Sequence, residues 1–557
     1  MHRGCLVLVL ACVAGGLLQA AGEIPPPPRL TVVISVDQMR ADYLERFRPY
    51  FGEGGFKRLL EGGADYTNCH YEHAVTKTGP GHATILSGVH ANVHGIIANE
   101  WLDRTTFIQG NNVEDVNSPL VGLPPRADRY ANPTFAAKAG RSPRNFLGVT
   151  VGDRLKARYG ATSKVFGIAD KDRAAILMAG PKADGAYWEE DGVFVTSTYY
   201  RPALPDWLVR FNRAFDTPQY FGRVWERTLD PAIYDQVQGP DDAPGEQAED
   251  GLATTFPKKV DGGRPAISGA FYSAFDHTPW DNELVAQGAE ALIEAEHLGE
   301  DAGPDLLAVG FSQPDKAGHA YGPDSHEEMD SYIQLDRTLA KFFAFLDQRL
   351  GFAHVLVVLV ADHGVAPLPE KIQREKGPDA AGRVSGGALD KFLFAKLDAA
   401  YGALPANGYW AVRDNSGYHL NPAALQAKHL DAAQLDAKIR EILLTYPLIA
   451  AAYTREQLTN PAPLDQFGEM ERLSYYPPRS MDVMFVTKPY FIERPTAGAT
   501  HGTPYEYDTH VPLVWYGAGV PPGVHPEPVG VESLAATVAA HLGVTLPPEA
   551  HGKVLFK

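Results

Sequence analysis

Cysteine is nearly absent from this 557-residue chain. There are three, and Cys5 and Cys12 both fall in the first dozen positions. If that leader is removed, Cys69 alone remains, so no intramolecular disulfide can form and stability must come from core burial and bound metal. Cys69 itself reads as a small buried residue. Positive charge is also in deficit: 50 Lys and Arg stand against 68 Asp and Glu, a net charge of −18. That balance excludes a broad nucleic-acid-binding face, while leaving room for a local basic pocket. Long apolar runs are missing too, since Cys5–Leu18 falls short of the ~20 residues a membrane-spanning helix needs. No internal repeat is present.

What the leader does have is the pattern of an export signal: Arg3, then the apolar Cys5–Leu18, then small residues at Ala20 and Ala21. Cleavage is expected between Ala20 and Glu23, giving residues 1–22 as signal peptide and a periplasmic or secreted product. Lipidation at Cys12 fits less well, because Val9-Leu10-Ala11 is a poor approach to such a site. Residues 23–29, with the run Pro25–Pro28, read as a stiff spacer. Residues 30–557 then form the catalytic domain.

Within that domain, short β-branched runs alternate with helical stretches. Leu30–Val36, Val165–Ala169, Leu306–Phe311, Val355–Val360 and Val511–Trp515 read as strands buried on both faces, with Met484–Thr487 a weaker candidate. Ser325–Leu350 and Glu532–Leu542 read as helices. The alternation predicts an α/β fold, a mostly parallel central sheet with helices on both faces. Residues 100–145 and 186–285 break the rhythm, and read either as insertions capping a site or as plain surface loops.

Chemistry gathers where strands end. Leu30–Val36 runs into Asp37, and Val355–Val360 into Asp362-His363-Gly364. A carboxylate at the end of a buried strand must be paired or bind a cation. Asp315 and His319, four apart, share one face of a helical turn, and such an oxygen–nitrogen pair suits zinc. His501 sits between Thr500 and Gly502. In Thr78-Gly79-Pro80-Gly81-His82, Pro80 suits a first helical turn, so Thr78 is expected at or beside the N-cap of a helix over Ala83–Ser87. Its hydroxyl would then face free N–H groups that can seat a phosphate, or would simply cap the helix. Nearby His70, His73, His82, His90 and His94 match no common zinc spacing and are expected to serve structural hydrogen bonds.

These motifs, in this order, resemble the alkaline phosphatase superfamily, in particular the phosphate-irrepressible alkaline phosphatases and the nucleotide pyrophosphatase/phosphodiesterase branch. The resemblance extends from residue 30 to 552 and includes Tyr507-Asp508-Thr509-His510-Val511-Pro512-Leu513. It implies two zinc ions, one on Asp315, His319 and His501, the other on Asp37, Asp362 and His363 with the Thr78 oxygen. Thr78 is then the nucleophile and a phosphothreonine the intermediate. Asn99 resembles the residue that donates to a phosphoryl oxygen. Lys171 and Arg173, if extended, project to one side and would bind the additional charge of a monoester; an ordinary charged turn is the plain alternative. The implied activity is hydrolysis of small phosphate monoesters, with a phosphodiesterase as the other possibility. Thr78 stands where a sulfatase needs a modifiable Cys or Ser. A structural calcium site and the oligomeric state are left open.

Overall fold

The computed structural model describes residues 26–124, 140–406 and 408–557. The expected signal peptide, residues 23–25 of the expected spacer and part of 100–145 lie outside the described residues. Among the described residues, ten strands form the main sheet: β1 Leu30–Val36, β2 Ala64–Tyr66, β3 Leu120–Val121, β4 Val165–Ala169, β5 Gly185–Glu190, β6 Val193–Ser197, β7 Asp305–Phe311, β8 Val355–Val360, β9 Leu513–Gly517 and β10 Gly523–His525. Their order across the sheet is β10-β2-β9-β8-β1-β7-β4-β5-β6-β3. The middle run β8-β1-β7-β4-β5 is parallel, whereas β9 runs antiparallel to β8 and to β2, and β6 antiparallel to β5.

The parallel strands are apolar and buried along their whole length, as a sheet covered on both faces requires. Each buried Val, Leu or Ile there contributes roughly 1.5–3 kcal/mol. The helices that matter for the site are α1 Thr78–Ile85, α2 Asp172–Ala179, α3 Gln313–Tyr321, α4 His326–Arg349 and α5 Glu532–His541. Ser325 caps α4 by accepting from the Glu328 N–H. Cys69 is buried, and burial pushes its thiol well above the usual range.

Three expectations change. The run Val511–Trp515 divides: His510–Val511 pairs with the short strand Cys69–His70, and Pro512 separates it from β9, which joins the main sheet antiparallel. Met484–Thr487 is a strand, Val483–Thr487, but in a second, antiparallel four-stranded sheet with Ala411–Asp414, Gly417–Leu420 and Ile449–Thr454. That sheet has its own core around Leu389, Leu393, Leu435 and Ile439. The stretch 186–285 opens inside β5 and continues through β6, so its first part extends the main sheet.

Candidate metal-dependent active site

Parallel register explains how distant residues meet. β1 pairs with both β7 and β8, matching Val36 to Phe311 and Ser35 to Val360. Asp37 and Asp362 therefore leave the sheet side by side, with α3 and Asp315 just past β7. Gln38, which the sequence reading passed over, fastens them. Its N–H donates to Asp362 Oδ1 at 3.0 Å, and its Nε2 donates to Asp315 Oδ1 at 2.6 Å. Its φ of +66° lies in the left-handed region that non-glycine residues seldom occupy. Gln and Glu look alike in a spacing pattern, so only the turn geometry singles it out.

The helix carrying Thr78 starts earlier than expected. Lys77 is its N-cap and Thr78 its first residue, and the threonine hydroxyl caps nothing. Thr78 Oγ1 instead lies 3.4 Å from His363 Nε2. α1 can approach the end of β8 because Gly81 has no side chain: a Cβ there would come within 2.2 Å of the Asp362 carbonyl oxygen. The Gly79 N–H donates to Asn99 Oδ1 at 2.7 Å, so Asn99 stands beside the Thr78–Gly79 turn with its amide Nδ2 donating to nothing among the described residues.

Three imidazoles are aimed alike. His319, His363 and His501 each donate Nδ1–H to a backbone carbonyl, of Ala499 at 2.9 Å, Gly364 at 2.9 Å and Thr76 at 2.7 Å. In the neutral ring that fixes the tautomer and leaves the lone pair on Nε2, the usual arrangement of a metal-ligating histidine. Asp315 Oδ1 lies 3.3 Å from His319 Nε2 and 3.7 Å from His501 Nε2. The rings of His363 and His501 stack with centroids 3.5 Å apart. Asp508, from the late motif, holds the His501 loop by accepting from the N–H groups of Gly502 and Thr503.

Two groups of donor atoms could hold a metal here: Asp315, His363 and His501, and Asp37, His82 and Asp362, with each group's atoms within 4.8 Å of one another. His363 borders both, because its Nε2 is also 3.2 Å from Asp362 Oδ2. His82, set aside on spacing, is thus part of the cluster, 3.3 Å from Asp37 Oδ1. Both oxygens of Asp37 and Oδ2 of Asp362 are buried and accept no hydrogen bond of good geometry. Buried carboxylate oxygens left this way are costly unless a cation meets them. The mixed nitrogen and oxygen donors fit zinc.

Lys171 supplies fixed positive charge, 3.1 Å from Asp37 Oδ2 and 2.5 Å from Asp315 Oδ2. Burial alone would lower the lysine's affinity for its proton, but Asp315 and then Asp37 outweigh it and raise the ammonium above its usual range. Burial likewise works against His363, yet neighbouring Asp362 brings its imidazole up to about 9. His501 moves the other way, pushed well down by burial and by the facing His363 and His319. The extended geometry expected across Lys171–Arg173 stops at Lys171, because α2 begins at Asp172. Arg173 lies in the helix's first turn, with Nη1 3.7 Å from Asp172 Oδ1, while its Nε is buried without a hydrogen-bond partner. Beside His501 a cavity of about 340 Å³ is lined by Lys77, Arg413, Asn415, Thr500 and Thr503, among others.

A mixed sheet that brings carboxylates, imidazoles and one threonine to a single edge defines an alkaline phosphatase-like hydrolase. The chain belongs to the type I phosphodiesterase / nucleotide pyrophosphatase family, whose profile matches residues 31–502. It is 32% identical to alkaline phosphatase PafA of Elizabethkingia meningoseptica, over 98% of this chain and 97% of that protein. It is 31% identical to alkaline phosphatase PhoV of Synechococcus elongatus, over 99% and 98%. The crystal structure of wild-type PafA superposes with a TM-score of 0.85 at 30% identity, covering 95% of this chain and 98% of that one.

Proposed function

We propose that this protein is an exported, zinc-dependent alkaline phosphatase that cleaves small phosphate monoesters through a phosphothreonine on Thr78. The observation that carries the reading is the set of three imidazoles, each oriented by a carbonyl bond on Nδ1, beside buried carboxylate oxygens that accept no hydrogen bond of good geometry and the Thr78 hydroxyl. Full-length similarity to proteins named alkaline phosphatase supports it. Export is supported by the leader pattern in residues 1–22, and among the described residues no helix is long and apolar enough to cross a membrane.

Asp315, His319 and His501 would hold one zinc, and Asp37, Asp362 and His363 the other. Two such ions make a threonine hydroxyl acidic enough to act and neutralise charge on attacking and departing oxygens. The protein's own groups do the rest. Asn99, tied to the Gly79 N–H, would present its amide to a non-bridging phosphoryl oxygen. Lys171 would bring the charge that a monoester, with two ionised oxygens, uses more fully than a diester does. Thr78 Oγ1, giving up its proton, would form the new bond to phosphorus as the ester P–O bond breaks and the alcohol departs with a proton, and water would then break the Oγ1–P bond, releasing inorganic phosphate and restoring the hydroxyl. The non-phosphate part of the substrate would lie in the cavity beside His501.

The deciding experiment compares an aryl phosphate monoester with its diester on purified, zinc-loaded enzyme. Faster monoester turnover, abolished by a chelator and restored by zinc, is the expected result. Preference for the diester would assign the chain to the phosphodiesterase side of its family instead.

A further inference from the structure

We infer that Glu72, His90 and Glu532 form a separate divalent-cation site, of the zinc or manganese class, that clasps the C-terminal helix α5 to the loop leading to Thr78. The three residues offer one ligand atom each, all within 4.8 Å of one another. They come from three parts of the chain: the segment after Cys69–His70, the N-cap of the short helix Ala91–His94, and the first residue of α5.

Backbone pairing brings them together. The short strand Val529–Gly530 runs parallel to Cys69–His70, matching Gly530 with His70. Beyond that pair the Val531 N–H donates to the His70 carbonyl oxygen at 3.1 Å and the chain turns into α5, which leaves the Glu532 carboxylate within 4.8 Å of that of Glu72. Like charges facing one another in this way are destabilising, and a cation between them reverses the sign of the interaction. Glu532 is 5% exposed, and its Oε2 is buried with no hydrogen-bond partner. Its carboxylate curls back over Gly530, where a Cβ would come within 1.9 Å of Oε1.

His90 completes the set with nitrogen. It is 2% exposed, and its Nδ1 lies 3.1 Å from His73 Nδ1, which leaves Nε2 without a hydrogen bond among the described residues. A histidine held by a partner on one nitrogen and open at the other has the geometry of a ligand. One nitrogen with two carboxylates suits zinc or manganese, and exposed Glu72 leaves room for water to fill the coordination. The site is independent of the catalytic edge, since none of its residues belongs to the two groups there.

The test uses the full chain, stripped of metal and then titrated with zinc chloride or manganese chloride, reading bound metal per chain and the thermal unfolding temperature. The wild type is expected to bind one equivalent more than Glu532→Gln, and zinc should raise its unfolding temperature further than the variant's. Glu72→Gln, at an exposed position, should weaken that one equivalent by about tenfold or more. Asp362→Ala should leave it intact, which separates this site from the catalytic one whether or not the edge binds zinc. If Glu532→Gln does not fold, Glu72→Gln decides alone. Equal stoichiometry, affinity and zinc-dependent stabilisation in the wild type and in Glu72→Gln would overturn the inference.

Discussion

Two buried clusters lie back to back on the same two segments of chain. Asp170 and Lys171 follow β4, and Asp315 and Lys316 lie in the first turn of α3. The pairs cross: Lys171 reaches Asp315 at 2.5 Å, and Lys316 reaches Asp170 at 3.3 Å. On one side the pair opens into three histidines, Thr78 and Asn99. On the other, Lys316 faces Asp170, Asp276 and Asp281 within 3.6 Å. Carboxylate and lysine are common to both. The difference is the imidazoles, which give the first cluster oriented nitrogen donors and so a way to hold metal. The second answers its excess negative charge by protonation. Burial, Asp170 and other acids overcome Lys316 and bring Asp276 up to about 6. Acidic clustering by itself therefore does not mark a metal site; oriented nitrogen donors beside the carboxylates do.

Removing the hydroxyl proposed as the nucleophile should separate the two clusters most sharply. Thr78→Ala is expected to lower turnover by about a thousandfold or more while leaving phosphate binding and folding nearly unchanged. Thr78→Ser should keep measurable activity, and acid trapping of the wild type should place the phosphoryl group on Thr78. Phosphate found on Ser35 or Thr76 would put the chemistry elsewhere on the same edge.

Charge on the catalytic side comes next. Replacing Lys171 and Arg173 together by alanine should cost the monoester reaction about a hundredfold, at tenfold per 1.36 kcal/mol of barrier. The diester reaction should fall less, because charge-assisted bonds act on one ionised oxygen there rather than two. Since only Lys171 touches the cluster, the single variant Lys171→Ala should account for most of the loss. An equal drop in both reactions would remove these residues from the basis of selectivity.

On the far side the effect should fall on stability. Lys316→Met leaves buried carboxylates without their cation and should cost about 3–5 kcal/mol in urea unfolding, with turnover per folded molecule changed by less than about tenfold. A thousandfold loss of turnover in the folded variant would mean that the two crossed pairs act as one unit.

The smallest effect is a pH dependence. Asp276 has its folded-state pKa raised from the usual 3.8 to about 6. Its protonated form is therefore favoured in the folded protein, and the stability it contributes is full below pH 4 and lost as pH rises through 6. Asp276→Asn should raise the unfolding temperature by about a few degrees at pH 8 and leave it unchanged near pH 4. The same gain at both pH values would point to packing rather than proton linkage.

The sequence by itself determined the parallel core and the residues that leave it. Leu30–Val36 and Val355–Val360 are unbroken apolar runs, and a carboxylate straight after such a run has few stable environments. Asp315 and His319 were legible because helical spacing fixes one face. Tertiary structure decided the rest. Met484–Thr487 reads as a strand but not as a member of a second sheet, because pairing partners leave no local trace. Spacing also passed over Gln38 and His82: the first acts through a left-handed turn, the second through carboxylates more than forty and more than two hundred residues away. The geometry of Lys171 and Arg173 turned on where α2 begins, a boundary that hydrogen bonds across the fold set more firmly than local propensity does. Side-chain chemistry is written locally, but which donors share an ion depends on the register of strands far apart in the chain.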